Sequence, residues 1–161
     1  MDVLEGKRWV MENLEDGVIC PCCNQFAKIY KRKLNSGMAI TLIRIYNGVG
    51  VDWIHVKDFL RSNKFSNSHD WTLLRYWGIL QAKYAEQCDQ KNNGYWRITQ
   101  KGIDFIEKRV TVLSHVRLYD SNLLNLTGEQ VTISDCLGSK FSYNELMGEA
   151  KVVKVGQQEI F

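Results

Sequence analysis

The stretch from Trp71 to Ile106 constrains the fold most, because several structure-breaking and structure-starting signals follow one another there without a gap. Trp71, Leu74 and Trp77 lie on one helical stripe. Gly78 follows, a residue that can leave a helix through positive φ without steric cost. Ile79 to Gln87 then reads as a strand, and Asp89-Gln90-Lys91-Asn92-Asn93-Gly94 has the composition of a hairpin turn. Tyr95-Trp96-Arg97-Ile98 reads as the returning strand, and Thr99 is placed to cap a last helix that holds Ile103 and Ile106 inward. The stretch therefore predicts a glycine-ended helix that feeds a two-stranded ribbon, closed by a threonine.

The residues upstream extend this pattern. Asn35 or Ser36 caps a predicted helix through Tyr46, with Met38, Ala39, Leu42, Ile43 and Tyr46 recurring at three and four, and Asn47-Gly48 ends it. Asp52-Trp53-Ile54-His55 predicts a short strand, and Val56 to Ser62 a helix that buries Val56, Phe59 and Leu60. A polar turn from Asn63 to Ser68 leads into the helix that starts at Ser68 or His69 and runs to Trp77. Residues 35–109 thus read helix, strand, helix, helix, strand, turn, strand, helix.

The two ends are organised differently. Val3 to Asn13 predicts a short amphipathic helix closed by Asp16-Gly17, whereas the periodicity of Phe26 to Leu34 leaves helix and strand both open. From Val110 onward, Thr111 to Tyr119, Leu123 to Leu126 and Val131 to Ile133 read as strands, joined by Asp120-Ser121-Asn122 and Thr127-Gly128-Glu129 turns. Ser134 or Asp135 begins a turn, and Ser142 caps Tyr143 to Met147. Ala150 to Phe161 is open between a mobile tail and a docked edge strand. Two or three strands alone are marginal, so the appended sheet needs the rest of the chain or a second copy, and a homodimer is one expectation. The fold class is α+β, with 1–34 an N-terminal helix and cysteine-rich basic extension, 35–109 the main domain and 110–161 a β-rich extension.

Composition narrows the setting. With 161 residues, 45% of them hydrophobic, 24% charged and only one proline, the chain suits a folded globular protein. No apolar run approaches the roughly 20 residues that span a bilayer, and the N-terminus carries Asp2, Glu5, Glu12, Glu15 and Asp16 where a signal peptide would be basic and then apolar. Cytoplasmic location without membrane contact is the expectation. The net charge of +3 hides an uneven distribution: Met1 to Gly17 is acidic, whereas Phe26 to Lys64 holds eight basic residues against two acidic. Such a surplus points to an anionic partner or to a solvated face.

Five cysteines, three of them within Cys20-Pro21-Cys22-Cys23, are not the spacing of a secreted disulfide framework. Cys20 and Cys23 form a C-x-x-C pair, and Asn24 can take the left-handed conformation that glycine usually provides after a zinc knuckle. They are the candidate metal ligands, half of a zinc site, since no second C-x-x-C or H-x-x-x-H follows at zinc-ribbon spacing. The expectation is nevertheless a cysteine-rich turn with partly buried thiols and no cofactor, with the zinc site, or a redox role for the C-x-x-C pair, as the alternatives. His55, His69 and His115 are scattered, and no nucleophile–base arrangement, glycine-rich phosphate loop or G-x-S-x-G elbow is present, so the chain is expected not to be an enzyme.

Leu73-Leu74-Arg75-Tyr76-Trp77-Gly78-Ile79-Leu80 before the hairpin and Trp96-Arg97-Ile98-Thr99-Gln100-Lys101-Gly102 after it give a pattern that resembles winged helix-turn-helix proteins over about 75 residues. In that family a helix ending in a Gly-Leu-Ile-like step leads into the wing and a Thr-x-x-Gly step leads out. The flanking Cys-Pro-x-Cys-like start, Tyr30-Lys31-Arg32-Lys33 and Phe141-Ser142-Tyr143-Asn144-Glu145-Leu146 resemble small uncharacterised phage and bacterial proteins. The resemblance implies a phage or bacterial DNA-binding protein, with a regulatory role as one expectation, the helix ending at Trp77 in a major groove and the wing on the backbone. Lys64, Asn67, Ser68, His69, Thr72 and Arg75, with Lys91, Asn92 and Asn93 on the wing, are then the DNA-binding candidates, and Lys28, Lys31, Arg32 and Lys33 add phosphate contacts. The rival expectation is a protein-interaction module, docking on a host or virion protein through Trp53, Trp71, Tyr76 and Trp96 on the same scaffold.

Overall fold

A computed structural model describes residues 2–65, 69–84 and 92–148. In chain order the elements are α1 (Val3–Asn13), β1 (Val18–Ile19), β2 (Phe26–Ala27), β3 (Tyr30–Lys33), α2 (Ser36–Val49), β4 (Ile54–His55) and α3 (Val56–Ser62). A 3₁₀ helix (Asp70–Trp77) follows, then β5 (Leu80–Tyr84), β6 (Asn92–Ile98), α4 (Gln100–Ile106), β7 (Val112–Tyr119), β8 (Asn122–Val131) and α5 (Ile133–Leu137). The protein is mixed α+β with small antiparallel sheets, and it divides into two compact units. Met1–Lys33 with Leu113–Glu129 form one unit, and Leu34–Val112 with Gln130–Phe161 the other. The extension expected beyond Val110 is thus shared between the two.

The larger unit is built around α2, which buries every residue from Met38 to Ile43 together with Ile45 and Asn47. A helix covered on nearly all sides must be central, and α2 packs against both the 3₁₀ helix and α5. The Asn35 side chain caps it, accepting from the Met38 N–H at 2.9 Å. The expected stop at Asn47-Gly48 is corrected: the helix continues to Val49, and Gly50 is its C-cap. Asn47 turns inward and donates through Nδ2 to the Leu146 carbonyl at 3.1 Å, so the polar pair serves packing rather than termination.

The segment ending at Trp77 is a 3₁₀ helix rather than the expected α-helix, a form that its residue spacing allows. Trp71, Leu74 and Trp77, its buried residues, recur at a strict spacing of three, which matches three residues per turn. Gly78 ends it at φ 74°, as its sequence context requires. β5 and β6 are antiparallel, with Leu80 opposite Ile98 and Ala82 opposite Trp96, and β4 pairs with the far edge of β6 through Ile54 and Trp96. The strand order is therefore β4-β6-β5. The expected turn is corrected in part: Asn92, Asn93 and Gly94 belong to β6, while residues 85–91, including Lys91, lie outside the described residues.

Thr99 joins the base of this ribbon to α4. Its side chain accepts from the Gly102 N–H at 3.1 Å, and its hydroxyl lies 2.5 Å from the Gly78 carbonyl oxygen and 3.1 Å from that of Ile79. A Cβ on Gly102 would stand 2.5 Å from the Ile79 carbonyl oxygen, so the Thr-x-x-Gly step exists because α4 starts pressed against the first residues of the hairpin. Phe105 and Ile106 face the core, with Ile103 half-buried. Ile133, expected to end a strand, opens α5 instead, because Thr132 and Asp135 form a reciprocal capping box ahead of it. Residues 143–148 form a final helical turn, and the tail from Ala150 lies outside the described residues.

In the smaller unit the undecided stretch from Phe26 to Leu34 contains two strands. β2 pairs with β1 around the cysteine turn, and β3 joins β7 and β8 in a three-stranded sheet of order β3-β7-β8. Asp120 and Ser121 both take positive φ, the conformation a two-residue hairpin turn demands between β7 and β8. The turn expected at Thr127-Gly128-Glu129 is absent: β8 runs through it, and the Glu129 N–H donates to Ser114 Oγ at 3.2 Å. α1 is capped by Asp2, and among its residues only Gly6 is buried.

Candidate nucleic-acid interface

The expected contacts fall on both units, and each set has its own geometry. On the 3₁₀ helix, His69 and Arg75 are exposed, while Thr72 is half-buried and its hydroxyl donates to the His69 carbonyl at 2.9 Å. Arg75 lies over the Tyr76 ring, 4.8 Å from its centroid, and donates to the Tyr76 hydroxyl at 2.8 Å. Stacking of this kind pre-orders a guanidinium while leaving its remaining donors outward. Lys64 is exposed at φ 57°, just before the undescribed residues that include Asn67 and Ser68. On the hairpin, Asn93 is exposed and its Oδ1 accepts from the Tyr95 N–H at 3.1 Å; Asn92 stands opposite Tyr84 at the open end of the strand pair.

Two of the four aromatic residues of the rival reading are buried. Trp71 and Trp96 are 3% exposed and stack edge to face at 5.2 Å, joining the 3₁₀ helix to the inner face of β6. Side chains alternate along a strand, so Arg97 must lie on the opposite face of the sheet from Trp96. There its guanidinium sits 4.5 Å from the Trp53 ring centroid and donates to Gln81 Oε1 at 3.0 Å, with Lys83 Nζ 5.5 Å from the same ring. Sequence reasoning did not single out Lys83 and Arg97. The alternation of buried Trp96 and Ile98 around Arg97 was the available signal.

In the smaller unit, alternation also divides the basic run. Lys31 stands opposite Arg117 and Lys33 opposite His115, while Tyr30 and Arg32 are opposite Leu118 and Val116, residues of the buried face of β7. One sheet face therefore carries Lys31, Lys33, His115 and Arg117. Lys28 lies outside β3, and its ammonium, like the Arg32 guanidinium, is 5.9 Å from the Tyr30 ring centroid. Arg117 is paired with Glu15 and also donates to Asn125 at 3.0 Å. His115 Nδ1 is 2.6 Å from Ser114 Oγ, and burial, then Lys31 and Lys33, lower the imidazole pKa below its usual value. The three cations of β3 are thus divided between two sheet faces rather than forming one patch.

The cysteine turn closes with the Asn24 N–H donating to the Cys20 carbonyl at 2.9 Å and the Cys20 N–H to the Gln25 carbonyl at 2.8 Å. Asn24 adopts φ 62°. Hydrogen bonding from Cys23 and then from Cys22 holds the Cys20 pKa below the ordinary thiol value. His55, by contrast, is structural: it caps α3 through the Asp58 N–H and stacks on Tyr95 at 5.3 Å. Among the described residues no group of three or more histidine, cysteine, aspartate or glutamate side chains is placed to hold a metal ion. No helix among them is long and apolar enough to cross a membrane. Compared with protein families, curated proteins and solved structures, the chain shows no significant match to any.

Proposed function

We propose that the larger unit is a winged helix-turn-helix module that binds duplex DNA, in a protein of phage or bacterial origin. One observation carries the reading: three helical segments are followed directly by an antiparallel ribbon, and the strand between the first two segments completes the sheet in the order β4-β6-β5. In that arrangement the segment Asp70–Trp77 is the recognition element. Its apolar stripe is spent on the core, which leaves His69 and Arg75 for the nucleic acid, with Lys64 ahead of them and the far end of the hairpin as the wing. Asp70, also exposed, opposes phosphate contact at the start of the segment, so affinity depends on Arg75, Lys64 and the wing. Lys31 and Lys33 add a cationic surface in the smaller unit.

Burial of Trp71 and Trp96 favours DNA over a protein partner recognised through aromatic residues, because half of that surface is already used within the fold. A mobility shift assay with duplex DNA at low salt tests the mode of binding. Arg75→Gln and Lys64→Gln are expected to weaken the complex, by about tenfold each, a loss within the range for a charge-assisted contact. Arg97→Gln, on the sheet face turned away from the 3₁₀ helix, is expected to change it little. Equal loss from all three would indicate general charge attraction, and no loss from Arg75→Gln would remove the recognition role of this segment.

A further inference from the structure

We propose that the outer face of the β4-β6-β5 sheet binds single-stranded nucleic acid, a mode separate from the duplex contact of the 3₁₀ helix. Trp96 and Ile98 turn inward from β6, so Tyr95 and Arg97 point outward. Gln81 of β5 stands opposite Arg97, and Trp53, one residue ahead of Ile54, falls on its other side. Gln81, Arg97 and Trp53 thus form one row across the sheet, and the row fixes the arginine. Its guanidinium is 4.5 Å from the Trp53 ring centroid and its Nε donates to Gln81 Oε1 at 3.0 Å, which leaves both Nη groups for a ligand. Lys83, also exposed, has its ammonium 5.5 Å from the same ring. Tyr95 stands in the next row, 42% exposed, with its ring held edge to face by His55 at 5.3 Å.

Charge and ring chemistry together choose the ligand. Arg61, Arg109 and Arg117 are each paired with an acidic side chain, whereas among the described residues neither Arg97 nor Lys83 has a carboxylate partner. Two cations left unneutralised on one sheet face are complementary to phosphates. Phosphates alone give no use to the rings beside them, but bases stack on tyrosine, on tryptophan and on the plane of a guanidinium. In a duplex the bases already stack on one another, so only an unpaired strand can meet the cations and the rings at once. A shallow cleft of about 320 Å³ lies beside Arg97, bordered by Val51, Gln81 and Gln100. It gives a splayed nucleotide room next to the row, with two side-chain amides for its base edge.

The test is fluorescence anisotropy of a dye-labelled oligothymidylate of about 12 nucleotides with the full-length chain across a salt series, run beside a labelled duplex. Arg97→Gln, Lys83→Gln and Tyr95→Ala should each weaken the single-strand complex about tenfold, and each lost cation should make its salt slope shallower by about 0.7. Tyr95→Phe should bind as the parent does, because stacking needs the ring and not the hydroxyl; it also guards against a misfolded alanine variant. Arg75→Gln should leave the single-strand affinity within about twofold of the parent, and Arg97→Gln should do the same for the duplex affinity. No single-strand binding at low salt, or unchanged affinity in both Arg97→Gln and Tyr95→Ala, would overturn the proposal. So would equal losses from Arg75→Gln and Arg97→Gln, or displacement of the strand by heparin and by phosphatidylserine vesicles as readily as by unlabelled oligothymidylate, since either marks general attraction to polyanions. A chain that binds the single strand but no duplex would refute the duplex reading alone, and the converse would refute only this one.

Discussion

Ser114 and His115 show how a single position can report on the fold. His115 stands opposite Lys33 on a face that also carries Lys31 and Arg117, with Ser114 on its Nδ1 and Glu129 donating to Ser114. Burial, then the two lysines, push its pKa below the usual imidazole value of 6.5. The folded protein therefore holds the proton less tightly than the unfolded chain. Protonation favours unfolding, so the stability present above pH 6.5 is lost as pH falls from there towards the depressed folded value. Urea melts should show a lower midpoint at pH 5.5 than at pH 7.5, and His115→Gln should flatten that difference. An unchanged slope in the variant would mean that another group governs this window. The sequence showed His115 on a strand beside Ser114 but not its lysine neighbours, because Lys31 and Lys33 reach it only through pairing between β3 and β7, far apart in the chain.

At the scale of elements, the stop at Gly78, the cap at Thr99 and the two ribbon strands were legible because each depends on local backbone chemistry. Thr99→Ala removes an N-cap and the hydroxyl beside the Gly78 and Ile79 carbonyl oxygens, and should cost about 1 to 2 kcal/mol, with Thr99→Ser recovering most of it. Gly102→Ala forces a methyl against the Ile79 carbonyl and should cost about 2 kcal/mol, a loss within the range for overpacking. Thermal or urea unfolding measures both, and a Gly102→Ala variant as stable as the parent would refute the close approach of α4 to the hairpin. Other elements were misread where tertiary contacts override local signals. Asn47 looked like a helix stop until its bond to Leu146, 99 residues away, drew it inward, and Thr127-Gly128-Glu129 looked like a turn until pairing with β7 kept it in β8. The three-residue repeat of Trp71, Leu74 and Trp77 was visible in the sequence, yet it fits both helix types, and the choice of 3₁₀ depends on how that stripe meets α2 and Trp96.

For the whole molecule, the α+β class followed from alternating helical and strand-like periods, but the division into units did not. β3 comes from the N-terminal stretch and completes a sheet whose other two strands lie some 80 residues later, a pairing that no local pattern encodes. The candidate DNA contacts were legible as residue types and less so as a surface, because strand alternation separates Lys31 and Lys33 from Arg32 and sets Arg97 apart from the face that meets the 3₁₀ helix. The central claim, that this scaffold holds duplex DNA through cationic side chains, is tested most directly by duplex affinity measured across a salt series. The account predicts a straight fall of log affinity with log salt, with a slope that becomes shallower by about one for each of Arg75→Gln and Lys64→Gln. No duplex binding at low salt, or binding whose strength ignores salt, would contradict it.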